Sequence, residues 1–118
     1  FYLMKICYTH IMELSQKKCV PCEAGGVPLS SEEVQKLLPQ ISSEWKLNEA
    51  GHLERKFKSK DFKEAMAFVN KVAEIAEAEG HHPDIKINYN RVTLELWTHA
   101  IKGLHENDFI LASKIDLL

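Results

Sequence analysis

The chain has 118 residues, which sets one domain with a single core. Apolar residues make up 45% and charged residues 27%, and the net charge of −2 leaves no basic stripe for direct nucleic-acid binding. No apolar run has the length of a transmembrane helix, and three cysteines (Cys7, Cys19, Cys22) are too few, and odd in number, for a secreted disulfide framework.

Residues 1–24 read as a weakly structured leader. Its opening, FYLMKICYTHI, is interrupted by Lys5, Thr9 and His10. It has neither the apolar core and cleavage site of a signal peptide nor the arginines of a transit peptide, and Met12 is a candidate start. Cys19 and Cys22 form a single C-x-x-C. A closed zinc site needs more ligands, and a thioredoxin-like motif opens a helix after a strand, so the pair reads as reduced and metal-free.

The folded domain is expected over residues 25–118. LSSEEVQKLL opens a helix, with Ser30 as N-cap, Glu33 completing a capping box, and Val34, Leu37, Leu38 and Ile41 on one stripe. Pro39 should end it near Leu38. EWKLNEAGHLERKFK reads as a hairpin: Trp45 and Leu47 alternate before a turn at Gly51, and Leu53, Arg55 and Phe57 alternate after it. Phe62, Ala65, Met66, Val69, Val72, Ala73 and Ala76 then predict a long amphipathic helix ending at about Glu79. Asp61 and Glu64 suit its positive end, and Gly80 suits the position just past its last turn. Ile85, Ile87 and Tyr89 alternate as a third strand, Asn90-Arg91 turns, and Val92, Leu94 and Leu96 form a fourth. HENDFILASKIDLL closes the chain as a helix with acids near its start. The order α-β-β-α-β-β-α predicts an α+β domain, a four-stranded antiparallel sheet with helices packed on one face.

The chemistry-bearing residues gather where the long helix stops. His81 and His82 follow Gly80, and Pro83 prevents the helix from continuing. The negative end of the helix dipole favours an imidazolium there by a few tenths to ~1 kcal/mol. Glu77, one turn before His81, is placed to accept a hydrogen bond from it. His99 ends the fourth strand, on a face with Glu95 and Trp97, where it can approach His81. Each residue also has a plainer reading. The histidines complement a dipole, Glu77 is solvated, Asp108 favours a helix N-terminus, and Trp97 is a core or interface aromatic.

The spacing Glu77, three residues, His81-His82-Pro83, five residues, Tyr89, nine residues, His99, eight residues, Asp108 resembles the signature of the pterin-4a-carbinolamine dehydratase family. The likeness runs over about residues 28–118, with Trp45 in the family's usual place in the first strand, and the leader is similar to that of bacterial and plant-type members. Gly80 stands where some members carry an acid.

The resemblance implies a hydro-lyase that converts 4a-hydroxytetrahydropterin to quinonoid dihydropterin and water, in tetrahydrobiopterin recycling, with no metal or organic cofactor. It implies that His81 and His99 share acid and base work, that His82 binds the pterin, and that Glu77 and Asp108 orient imidazoles or hold a loop. Tyr89 matches an aromatic position with a packing role. A homotetramer built as a dimer of dimers, in the cytoplasm or an organelle and without a membrane or direct nucleic-acid partner, is the expected form. The alternative is a non-catalytic binding module, either a transcription-factor dimerisation cofactor like some animal members or a dehydratase-like assembly factor.

Overall fold

In the computed structural model, which describes residues 13–21 and 26–118, helix α1 (Ser31–Leu37) starts at a complete capping box. Ser30 Oγ accepts from Glu33 N at 3.2 Å, and the Glu33 carboxylate accepts from Ser30 N at 2.8 Å. Pro39 tightens the next residues into a 3₁₀ turn, Leu38–Gln40. Strands β1 (Lys46–Leu47) and β2 (Leu53–Lys58) follow, joined through Gly51 at φ +80°. Helix α2 (Phe62–Glu79) begins with Asp61 capping Glu64 N at 2.9 Å and ends at Gly80, whose φ of +66° is left-handed. Strands β3 (Asp84–Asn88) and β4 (Arg91–Leu96) form the second hairpin, and helix α3 (Glu106–Ile115) ends the domain.

All pairings are antiparallel and the sheet order is β1-β2-β4-β3. The central strands send Leu53, Val92, Leu94 and Leu96 toward the helices, where Val72 of α2 and Phe109 and Leu111 of α3 are equally buried. Each such side chain contributes about 1.5–3 kcal/mol by leaving water. Arg55 shares that inner face, and its charge is matched locally. Asp116, just past α3, accepts from Arg55 Nη1 at 2.6 Å, Trp45 Nε1 at 2.8 Å and Ser42 N at 2.8 Å. One carboxylate thus ties the first hairpin to the last helix.

The structure moves the second turn by one residue. Tyr89 and Asn90 form it, and Arg91 pairs with Asn88 instead of turning. Asn90 accounts for the shift: its O accepts from Ser59 N at 2.7 Å, and its Nδ2 donates to Ser59 O at 3.0 Å. Tyr89 therefore leaves the strand, takes φ +53°, and is exposed. The outermost strand is also uncovered. Ile85 and Ile87 pair with buried Leu94 and Val92, yet more than a third of each is exposed.

Residues 13–21 fall within the expected leader, but they are docked on the domain. Leu14, in a 3₁₀ turn (Leu14–Gln16), is 4% exposed and joins the core, and the chain then runs along α3 to Pro21. Cys7, Met12 and Cys22 lie outside the described residues.

Candidate active site

Gly80 reverses the backbone at the end of α2, so that Gly80 N and His81 N still donate to Glu77 O (3.3 Å) and Ala76 O (3.2 Å). The reversal turns His81 inward. Its Nε2 lies 2.6 Å from Asp108 Oδ1, and the Asp108 side chain is fully buried. The other Asp108 oxygen accepts from Thr98 Oγ1 at 2.9 Å and His105 N at 3.0 Å. His105 is also the N-cap of α3, its Nδ1 accepting from Asn107 N at 2.9 Å. With its acceptor so held, His81 carries hydrogen on Nε2, which leaves Nδ1 as the nitrogen not engaged by Asp108.

Glu77 does not meet His81 as expected. Because His81 has turned in, the exposed neighbour faces back along the helix, and His82 Nε2 pairs with Glu77 Oε2 at 3.0 Å. Both side chains are mostly exposed, so this pair contributes little to stability.

His99 follows β4, in a 3₁₀ turn (His99–Ile101), rather than ending the strand itself. Alternation past the strand end serves two sides. Thr98 points in to Asp108, while Trp97 and His99 emerge on the other face and stack at 3.8 Å between centroids. Trp97 stacks in turn on His52 at 4.3 Å and 5°, and His52 Nδ1 is 2.6 Å from Glu95 Oε2. Hydrogen bonds from Asn48 and His52 hold the Glu95 carboxyl below its ordinary range, against a smaller effect of burial. Asp84 bridges the stack, accepting from Trp97 Nε1 at 3.0 Å with its other oxygen 4.0 Å from His99 Nε2.

His81, His82 and His99 line one open cavity of about 610 Å³, together with Trp97, Asp84 and the docked segment at Val20. Asp108 reaches that cavity through His81. Tyr89 does not line it, standing at the far end of the β3–β4 hairpin from Asp84. The Cys19 thiol is pushed up to about 12 by burial and by the Glu79 charge, so it stays protonated and unreactive at neutral pH. Glu79 is itself raised by burial, but the bond from Cys19 N and the Lys114 charge outweigh that and hold it low.

Trp97, Asp84, Thr98 and His52 escaped the sequence reading as site residues. Strand alternation grouped Trp97 with His99, which was the available signal for that one. Asp84 sits beside the His-His-Pro run, but nothing local told its carboxylate from a solvated one. His52 comes from the other hairpin, and only the sheet brings it near.

The comparisons agree with one another. The family model described as Pterin 4 alpha carbinolamine dehydratase matches residues 27–118. A relative from Rickettsia bellii that carries the pterin-4-alpha-carbinolamine dehydratase name is 53% identical over 105 residues, covering 89% of this chain and 93% of its own. One of the same name from Alkaliphilus metalliredigens is 48% identical over 103 residues, covering 87% and 93%. A crystal structure from Brucella melitensis, described as a transcriptional coactivator/pterin dehydratase, superposes with a TM-score of 0.71. It is 33% identical and covers 76% of this chain and 96% of its own. On this evidence, from sequence and fold alike, the chain belongs to the pterin 4 alpha carbinolamine dehydratase family.

Proposed function

We propose that the cavity binds 4a-hydroxytetrahydropterin and that the protein eliminates water from it to give quinonoid dihydropterin. The observation that carries this reading is the convergence of His81, His82 and His99 on one cavity, from a helix end and a strand end. In the reaction the C4a–O bond breaks, and the departing hydroxyl takes a proton to leave as water. N5 gives up its proton as the C4a–N5 double bond forms. Hydroxide is a poor leaving group, so the step needs an acid at the oxygen and a base at N5. His81 and His99 fill these roles as a pair, His82 binds the ring, and Glu77 and Asp108 position histidines. Tyr89, exposed at the β3–β4 turn, takes no part in the chemistry. The chemistry needs no cofactor, the dehydratase domain of residues 25–118 carries the histidines while residues 13–21 of the expected leader add Leu14 to its core and line its cavity, and tetrahydrobiopterin recycling in the cytoplasm is the setting.

The test is direct. The carbinolamine is generated in situ, and quinonoid dihydropterin is followed by absorbance with and without the protein. Formation well above the spontaneous rate is expected. A rate equal to the spontaneous one would reduce the protein to a non-catalytic binding module, the role that the coactivator half of the Brucella description suggests for that relative.

The assembly in this reading is a homotetramer, a dimer of dimers. Its support is β3, a sheet edge whose Ile85 and Ile87 are covered by no helix among the described residues. Light scattering at micromolar concentration should give four times the chain mass, and a monomer there would refute the assembly.

A further inference from the structure

The docked segment 17–21 is fastened to the same two places that position His81. Cys19 N donates to Glu79 Oε1 at 2.9 Å, and Glu79 directly precedes Gly80 and the histidine pair. Val20 N donates to Asn107 Oδ1 at 3.0 Å, and Asn107 Nδ2 donates back to Val20 O at 2.6 Å. Asn107 directly precedes Asp108 and is 2% exposed. Lys114 Nζ, 3.2 Å from Glu79 Oε2, completes the anchor, and Lys17 pairs with Glu106 at 2.7 Å nearer the surface.

These tethers are costly ones to leave unused. A buried amide and a nearly buried carboxylate need partners, and here backbone groups of a segment without regular secondary structure are among them. The segment does not merely cover apolar surface, because Cys19, Val20 and Pro21 face the cavity that holds His81, His82 and His99. Val20 remains over half exposed, which leaves its apolar surface open to a ligand there.

We infer that residues 19–21 of this segment are a wall of the pterin site, and that Asn107 and Glu79 are positioning residues whose task is to hold that wall against the substrate. The inference rests on the dehydratase reading for the identity of the ligand. Its consequence is a division of labour: the histidines carry the chemistry, while the wall sets affinity and shields one side of the ring from water. Losing the wall should weaken binding and leave turnover largely intact.

Two variants of the full chain separate this from a purely structural role. Asn107→Ala removes both tether bonds, and Val20→Pro deletes one donor on the exposed segment without touching the core. Hydrogen exchange reports docking, through the Cys19 amide in both variants and the Val20 amide in Asn107→Ala, since these are protected only while tethered. Titration with 7,8-dihydrobiopterin reports affinity, and steady-state kinetics reports KM and kcat. We expect faster exchange over 17–21, with Kd and KM raised roughly three- to ten-fold, the worth of one or two neutral hydrogen bonds, and kcat within about three-fold. Faster exchange with unchanged Kd and KM would overturn the inference, as would wild-type amides that are not protected at all. If Asn107→Ala does not fold, Val20→Pro decides alone. A wild-type protein that binds the pterin but does not speed its dehydration defeats the dehydratase reading only, and the Kd comparison still judges the wall. Wild-type protein that binds no pterin defeats both.

Discussion

Replacing either His81 or His99 with alanine is expected to lower turnover roughly 10²–10⁴-fold, the usual worth of one general acid or base. The two proton transfers belong to one elimination, so the loss of one partner already disables the shared path. The double variant should therefore fall far short of the product of the single losses. His82→Ala should behave differently, raising KM more than it lowers kcat, because this exposed ring pairs with Glu77 at the helix end and is assigned to binding. The wild-type pH profile should be bell-shaped, with limbs that belong to the coupled pair. Steady-state kinetics on the three single variants and the double variant, with circular dichroism to confirm folding, checks all of this. Near-normal turnover in both folded single variants would sink the two-histidine mechanism even if pterin still bound.

The second large effect is expected at Asp108. Its carboxyl accepts from His81, Thr98 and His105 in a place with no access to water. Asn has the same shape but one oxygen fewer. In Asp108→Asn the amide oxygen best serves Thr98 and His105 together, which turns the NH₂ group toward His81. His81 Nε2 must then accept, so its proton moves to Nδ1 and the imidazolium becomes unfavourable, since two donors would face each other. Turnover should drop roughly 10²–10³-fold, and the bell-shaped pH profile of the coupled pair should change. Stability should fall by only about 1–3 kcal/mol, because the packing volume is unchanged. Normal turnover with an unaltered pH profile in Asp108→Asn would show that the His81–Asp108 bond has no part in the chemistry.

The first helix, the two hairpins and the long helix were legible because each rests on local signals: capping at Ser30 and Asp61, Gly80 past the last turn, and period-two alternation around Leu94. The Tyr89 strand assignment failed for a non-local reason. Alternation favoured Tyr89 in the strand, but Asn90 is held by Ser59, thirty-one residues away in sequence, and that contact decides where the chain turns. The exchange of partners at Glu77 has a similar origin. Helical spacing made His81 its neighbour, whereas the buried Asp108 competes for the same imidazole and wins by burial and by a 2.6 Å bond. The docking of residues 13–21 was invisible because it relies on backbone groups meeting single side chains of α2 and α3, which leaves no periodicity to read.

The arrangement past β4 makes the site a matter of parity. Thr98 faces Asp108 and its neighbours Trp97 and His99 face the opposite way, so odd and even positions of one short run serve separate halves of the cavity. The length of this run matters as much as the identity of its side chains. Deleting Trp97 would bring His99 into the place of Thr98 beside the buried carboxyl and remove the ring on which His52 and His99 stack, undoing both halves at a stroke. The spacing from Leu96 to His99 is therefore as much a part of the site as the side chains it carries.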